Sequence, residues 1–215
     1  MIDENIHKNQ PVLTAGKAID QSSAAMIMIH GRGASAENIL GLSQEFATQD
    51  MAFVAPQAAY HTWYPYSFLA PIEQNEPGIS SGLATIKHLL RNLNERGIPT
   101  ERIGLLGFSQ GACLSLEYAA RNPQRYGGII ALSGGVIGPL GMNRHDEGDM
   151  NQTSVFLGCS DVDAHIPLER VQESTQIFQS LNADVTERIY PGMGHTINQD
   201  EINYINELLL SLTDV

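Results

Sequence analysis

Short apolar runs alternate along this chain with longer amphipathic stretches, and that alternation limits the folds open to it more than any other feature. AAMIMIH at 24–30, MAFVAP at 51–56, RIGLLGF at 102–108, GGIIALS at 127–133 and TSVFLGC at 153–159 are all strand-sized. Continuous runs of this kind suit strands buried on both faces. DVTERIY at 184–190 is a more polar sixth. Between them the sequence predicts helices at about 36–48, 78–95, 110–121, 168–182 and 198–211. In the second of these, Leu83, Ile86, Leu90 and Leu93 recur at helical spacing, and Pro99 follows its expected end. The pattern predicts an α/β fold: a mainly parallel sheet with helices on both faces and a ligand site at the carboxyl ends of the strands. The segment before Ala24 reads as an extra edge element, with a hairpin of its own as one form open to it.

The 215 residues are enough for one sizeable core, and no proline- or serine-rich linker divides them, so a single domain over 1–215 is expected. No apolar run approaches the roughly 20 residues of a membrane span, which predicts no stable membrane insertion. The start, MIDENIHKNQPVLTAG, carries acids where a secretory signal has a basic segment and lacks an apolar core behind them. Twelve basic residues stand against 24 acidic ones, a net charge of −12, which disfavours nucleic acid or an anionic membrane as partner and leaves a small molecule. Cys113 and Cys159 lie in no metal or redox spacing and read as reduced packing residues, consistent with a cytoplasmic setting.

The chemistry is concentrated in a few short stretches. Gly107-Phe108-Ser109-Gln110-Gly111 matches G-x-S-x-G with an expected strand before it and a helix after it. That context places the serine on a sharp turn with its hydroxyl projecting from the sheet. The plainer alternative is a glycine-rich turn with a capping serine. A serine needs a base, and the base an orienting acid. His195, in the glycine-rich YPGMGHTI, is the candidate base. LGCSDVDAHIPLERV offers Asp161 and Asp163 as acids; Asp163 is preferred for the imidazole and Asp161 for a turn or cap, although spacing leaves both open. His30-Gly31-Arg32-Gly33 ends the first strand and is similar to H-G-x-G loops that donate one N–H to an oxyanion, which would pair the amides of Arg32 and Gln110. His30 itself is expected to be structural, hydrogen-bonded under the loop. The long loops at 56–78 and 133–150 are candidate pocket walls. Two other classes are compatible with parts of the sequence: a metal hydrolase built on His145, Asp146, Glu147 and Asp149, and a binding protein that keeps a hydrolase fold without its chemistry.

HGRG, GFSQGA, DAHIP and GMGH occur in that order between about Ala24 and Leu210. With them the chain resembles the α/β-hydrolase fold, and within it the phospholipase/carboxylesterase family of small bacterial serine esterases that includes acyl-protein thioesterases. The resemblance implies Ser109 as nucleophile, His195 as base, Asp163 rather than Asp161 as acid, oxyanion donors at Arg32 and Gln110, no cofactor, and no large lid domain. It implies hydrolysis of short-chain acyl or aryl esters, with thioester or lysophospholipid hydrolysis as alternatives, and it admits a homodimer. HTWYPYSF resembles the tryptophan-tyrosine element of the acyl pocket, so Trp63, Tyr64, Tyr66 and Phe68 are candidate substrate-binding residues or the loop's own packing core. Arg32 departs from the apolar residue of many members; its guanidinium is expected either to face solvent or to meet an anionic group on the substrate.

Overall fold

The computed structural model describes residues 5–47 and 50–213. One seven-stranded sheet runs in the order β1-β3-β2-β4-β5-β6-β7. Its strands are β1 (Val12–Gly16), β2 (Ala24–Ile29), β3 (Met51–Pro56), β4 (Ile103–Phe108), β5 (Gly128–Leu132), β6 (Ser154–Ser160) and β7 (Asp184–Tyr190). Every pairing is parallel except that of β1, which lies antiparallel on β3. Among the described residues, the segment before Ala24 therefore supplies an edge strand of the main sheet and forms no hairpin of its own.

Parallel neighbours require crossovers, and most are supplied by α1 (Ala36–Gly41), α2 (Gly78–Glu95), α3 (Gln110–Arg121) and α4 (Leu168–Ser180), while α5 (Gln199–Thr213) follows the last strand. Successive side chains of a strand point to opposite faces, and in β2 this divides the core in two. Ala25, Ile27 and Ile29 pack with α2, α3 and α4, whereas Ala24, Met26 and Met28 pack with α1 and α5. All six are fully buried, as the unbroken apolar run requires. The expected helix over 36–48 is shorter: α1 ends at Gly41, a tight 3-10 turn follows over Leu42–Glu45, and residue 48 lies outside the described residues. No helix among the described residues is long and apolar enough to cross a membrane.

The crossover from β5 to β6 contains no helix. Residues 133–153 make it as irregular chain, pinned by polar groups. The buried Glu117 carboxylate of α3 accepts the Ile137 amide at 2.9 Å and the Arg144 guanidinium at 2.9 Å. The buried Arg170 of α4 donates to the Gly138 carbonyl at 2.9 Å.

Candidate active site

β4 passes into α3 through a single residue, Ser109, at φ 55° and ψ −119°. Side chains rarely adopt that backbone conformation, and it persists because its surroundings fix it. The Ser109 amide donates to the Leu132 carbonyl of β5 at 2.9 Å, and the Cys113 amide donates to the Ser109 carbonyl at 3.0 Å. Both flanking glycines are sterically required: a Cβ on Gly107 would lie 2.3 Å from the Gly111 carbonyl carbon, and one on Gly111 would lie 2.1 Å from the Ile29 oxygen. Strand and helix can cross this closely only without those side chains.

The loop after β7 brings His195 to this corner. Its Nε2 lies 2.9 Å from Ser109 Oγ and its Nδ1 2.7 Å from Asp163 Oδ2. The other Asp163 oxygen accepts the amides of His165 at 2.8 Å and Ile166 at 3.0 Å. Burial pushes the Asp163 carboxyl up, but the bonds from His195 and the two amides outweigh it and hold the pKa below the ordinary value. An ionised Asp163 fixes Nδ1 as the protonated nitrogen and leaves Nε2 free to accept from the serine. Asp161 has the other role. Its carboxylate accepts the Gly192 amide at 2.7 Å, and the neighbouring Ser160 hydroxyl accepts the Gly194 amide at 3.1 Å, so the pair fastens the loop that carries His195.

Ser109, Gln110, Arg32 and His195 line a cavity of about 610 Å³. Of the expected aromatic wall, Tyr64, Tyr66 and Phe68 also line it, with Tyr66 58% exposed. Trp63 does not. It is fully buried behind the wall, its indole N–H donating to the His30 carbonyl at 2.9 Å and its ring between those of His7 and His30. A tryptophan can be buried this way because its one polar atom finds a partner. His30 holds the loop from below: Nε2 accepts the Ala58 amide at 3.0 Å, Nδ1 donates to the Gly31 carbonyl at 2.7 Å, and burial lowers its pKa so that it stays neutral. The 133–150 loop, expected as a second wall, supplies none of the lining residues; it supports the wall from behind through the Gly138 amide, which donates to the Phe68 carbonyl at 2.8 Å.

The lining also includes residues that the sequence does not single out for it, among them Phe108, Cys113, His165 and Ile166. His165 stands edge-on to His195 with ring centroids 4.8 Å apart, and Ile166 follows it. Both lie in DAHIP, and the turn that presents two amides to Asp163 also turns these side chains into the cavity. In the acidic stretch that offers metal ligands by composition, Asp146 pairs with Arg144 at 2.5 Å, and Asp149 accepts the Asn151 amide and the Asn182 side chain. Among the described residues no three potential ligands converge.

Acyl-protein thioesterase 1 of Saccharomyces cerevisiae is 33% identical over 127 residues, which span 58% of this chain and only 56% of that protein. Acyl-protein thioesterase 1 of Gibberella zeae is 26% identical over 222 residues, 89% of this chain and 92% of its own. The crystal structure of a phospholipase/carboxylesterase from Dyadobacter fermentans superposes with a TM-score of 0.90 at 44% identity, covering 94% of this chain and 97% of that one. Acyl-protein thioesterase 2 of Zea mays, at 17% identity and a TM-score of 0.75 over 95% of this chain and all of its own, shares the fold. The phospholipase/carboxylesterase family model matches residues 12–212, and with the α/β-hydrolase sheet already described it establishes that the chain belongs to the phospholipase/carboxylesterase family of serine hydrolases.

Proposed function

We propose that this chain is a serine carboxylesterase for short-chain acyl or aryl esters, working through Ser109, His195 and Asp163. The observation that carries this reading is the continuous hydrogen-bond line from Asp163 through His195 to Ser109, opening on the 610 Å³ cavity. Ser109 Oγ attacks the ester carbonyl as His195 Nε2 takes its proton. Negative charge gathers on the carbonyl oxygen, where the Arg32 and Gln110 amides receive it. The C–O bond then breaks and the alcohol leaves with the proton from His195, giving an acyl-enzyme. Water, deprotonated by the same nitrogen, attacks that acyl group and releases the acid and the serine. Throughout, Asp163 remains a carboxylate and stabilises the imidazolium.

The aromatic wall supports a small acyl or aryl group, since Tyr64 and Phe68 present ring surface at little cost in side-chain freedom. Hydrolysis of p-nitrophenyl esters of increasing acyl length is expected to peak at short chains and to fall by at least about 10³-fold in Ser109→Ala. Equal rates in the two proteins would refute the mechanism. A second reading, thioester hydrolysis by the same groups, is favoured by the names of the fungal relatives. Paired O- and S-esters of one acyl group separate the two by their kcat/KM ratio.

A further inference from the structure

The loop bearing the Arg32 amide and the loop bearing the aromatic wall are joined along their length. The Gly33 amide donates to the His61 carbonyl at 2.7 Å, and His61 Nδ1 donates back to the Ala34 carbonyl at 2.8 Å. The Arg32 side chain closes this seam at the cavity edge. Its Nη1 donates to Thr62 Oγ1 at 3.1 Å and to the Pro65 carbonyl at 2.8 Å, its Nη2 donates to the Tyr66 carbonyl at 2.6 Å, and the guanidinium lies 5.9 Å from the Tyr64 ring centroid. Three partners on one loop are more than an arginine that only faces solvent would make. No carboxylate among the described residues pairs with it.

Gln110 does the same from the opposite side. Its Oε1 accepts the Trp63 amide at 2.8 Å, and its Nε2 donates to the Tyr64 carbonyl at 2.8 Å. The two residues assigned as oxyanion donors by their amides therefore grip residues 62–66 with their side chains. From this geometry we propose that the Arg32 guanidinium is a positioning residue that fixes the oxyanion amides against the acyl wall, so that a seated acyl group meets donors already in place. This rests on the esterase reading above. A planar fork with several fixed N–H directions can hold two carbonyls and a hydroxyl at once, which a lysine ammonium or an apolar side chain cannot reproduce.

The test is the steady-state hydrolysis of p-nitrophenyl acetate and of the p-nitrophenyl monoester of adipic acid, one neutral and one carrying a carboxylate. Wild type, Arg32→Lys and Arg32→Ala are compared with and without added guanidinium ion, and rates are counted per site titrated by a serine-reactive phosphonate. Misplacing reacting groups by about 1 Å costs on the order of 100-fold, so both substitutions are expected to lower kcat by about 10- to 100-fold on both esters with KM little changed. Guanidinium should restore most of the rate to Arg32→Ala and none to Arg32→Lys, a rescue that general destabilisation would not give. Unchanged kcat in Arg32→Ala overturns the proposal. So does a rise in KM confined to the adipate monoester with Arg32→Lys unimpaired, which would assign the charge to the substrate instead. Wild type that neither hydrolyses the esters nor takes up phosphonate overturns the esterase reading, and the proposal with it.

Discussion

At the scale of single residues, ionisation at this site is set by partners more than by burial alone. Asp163 is buried, which by itself would favour its protonated form, yet three N–H donors keep its pKa below the ordinary carboxylate value. The sign follows: Asp163 is charged throughout the neutral range, and the stability its charge contributes is lost only as pH falls through its lowered folded-state pKa. Because His195 must be neutral to accept the serine proton, kcat/KM is expected to fall on the acid side while Asp163 is still charged. A limb that falls only in the carboxylate range would contradict the assignment of roles. Asp163→Asn is expected to lower kcat on the order of 10⁴-fold by offering the imidazole the wrong tautomer, whereas Asp161→Asn, which touches only the loop backbone, is expected to lose far less. The two acids differ by two positions in sequence and could not be separated by spacing. What separates them is which oxygen reaches the ring, a matter of how the chain turns after β6.

Among the elements, α5 shows how a helix start can serve the site. Asn198 and Glu201 cap it reciprocally: the Asn198 amide donates to Glu201 Oε2 at 2.9 Å, and the Glu201 amide donates to Asn198 Oδ1 at 3.0 Å. Asn198 also contacts Met193 in the His195 loop, so the cap and that loop are joined. Glu201 is fully buried over Gly158, where a Cβ would lie 2.1 Å from its Oε1, and that oxygen has no hydrogen-bond partner. Burial raises its pKa to about 7, only partly countered by the Asn198 amide. A carboxyl with a raised folded-state pKa makes the fold less stable as pH rises from its ordinary value through about 7. Glu201→Gln is therefore expected to stabilise the protein by on the order of 2 kcal/mol at pH 8 and by much less near pH 5, read as the difference in thermal midpoint. An equal difference at both pH values would contradict the pKa assignment.

For the whole molecule, the features legible in the sequence were those set by local pattern. The apolar runs of β2 to β6 and the G-x-S-x-G corner follow from periodicity and sterics, and the observed strands keep the expected positions to within a residue or so at either end. The uses of the long loops were less legible. Trp63 reads like Tyr64 in a list of aromatics, but only the fold decides which ring faces the cavity and which is buried behind His30. The 133–150 segment reads as a loop free to wall a pocket, and it is instead the β5–β6 crossover, held against α3 and α4 by Glu117 and Arg170. His165 carries no signal in the sequence because its place depends on the turn that feeds two amides to Asp163. The central claim, that this sheet presents one activated serine, is tested most directly by intact-mass measurement after exposure to a fluorophosphonate. One adduct per chain on wild type, at Ser109, and none on Ser109→Ala is expected; no adduct on wild type, or equal labelling of both proteins, would contradict it.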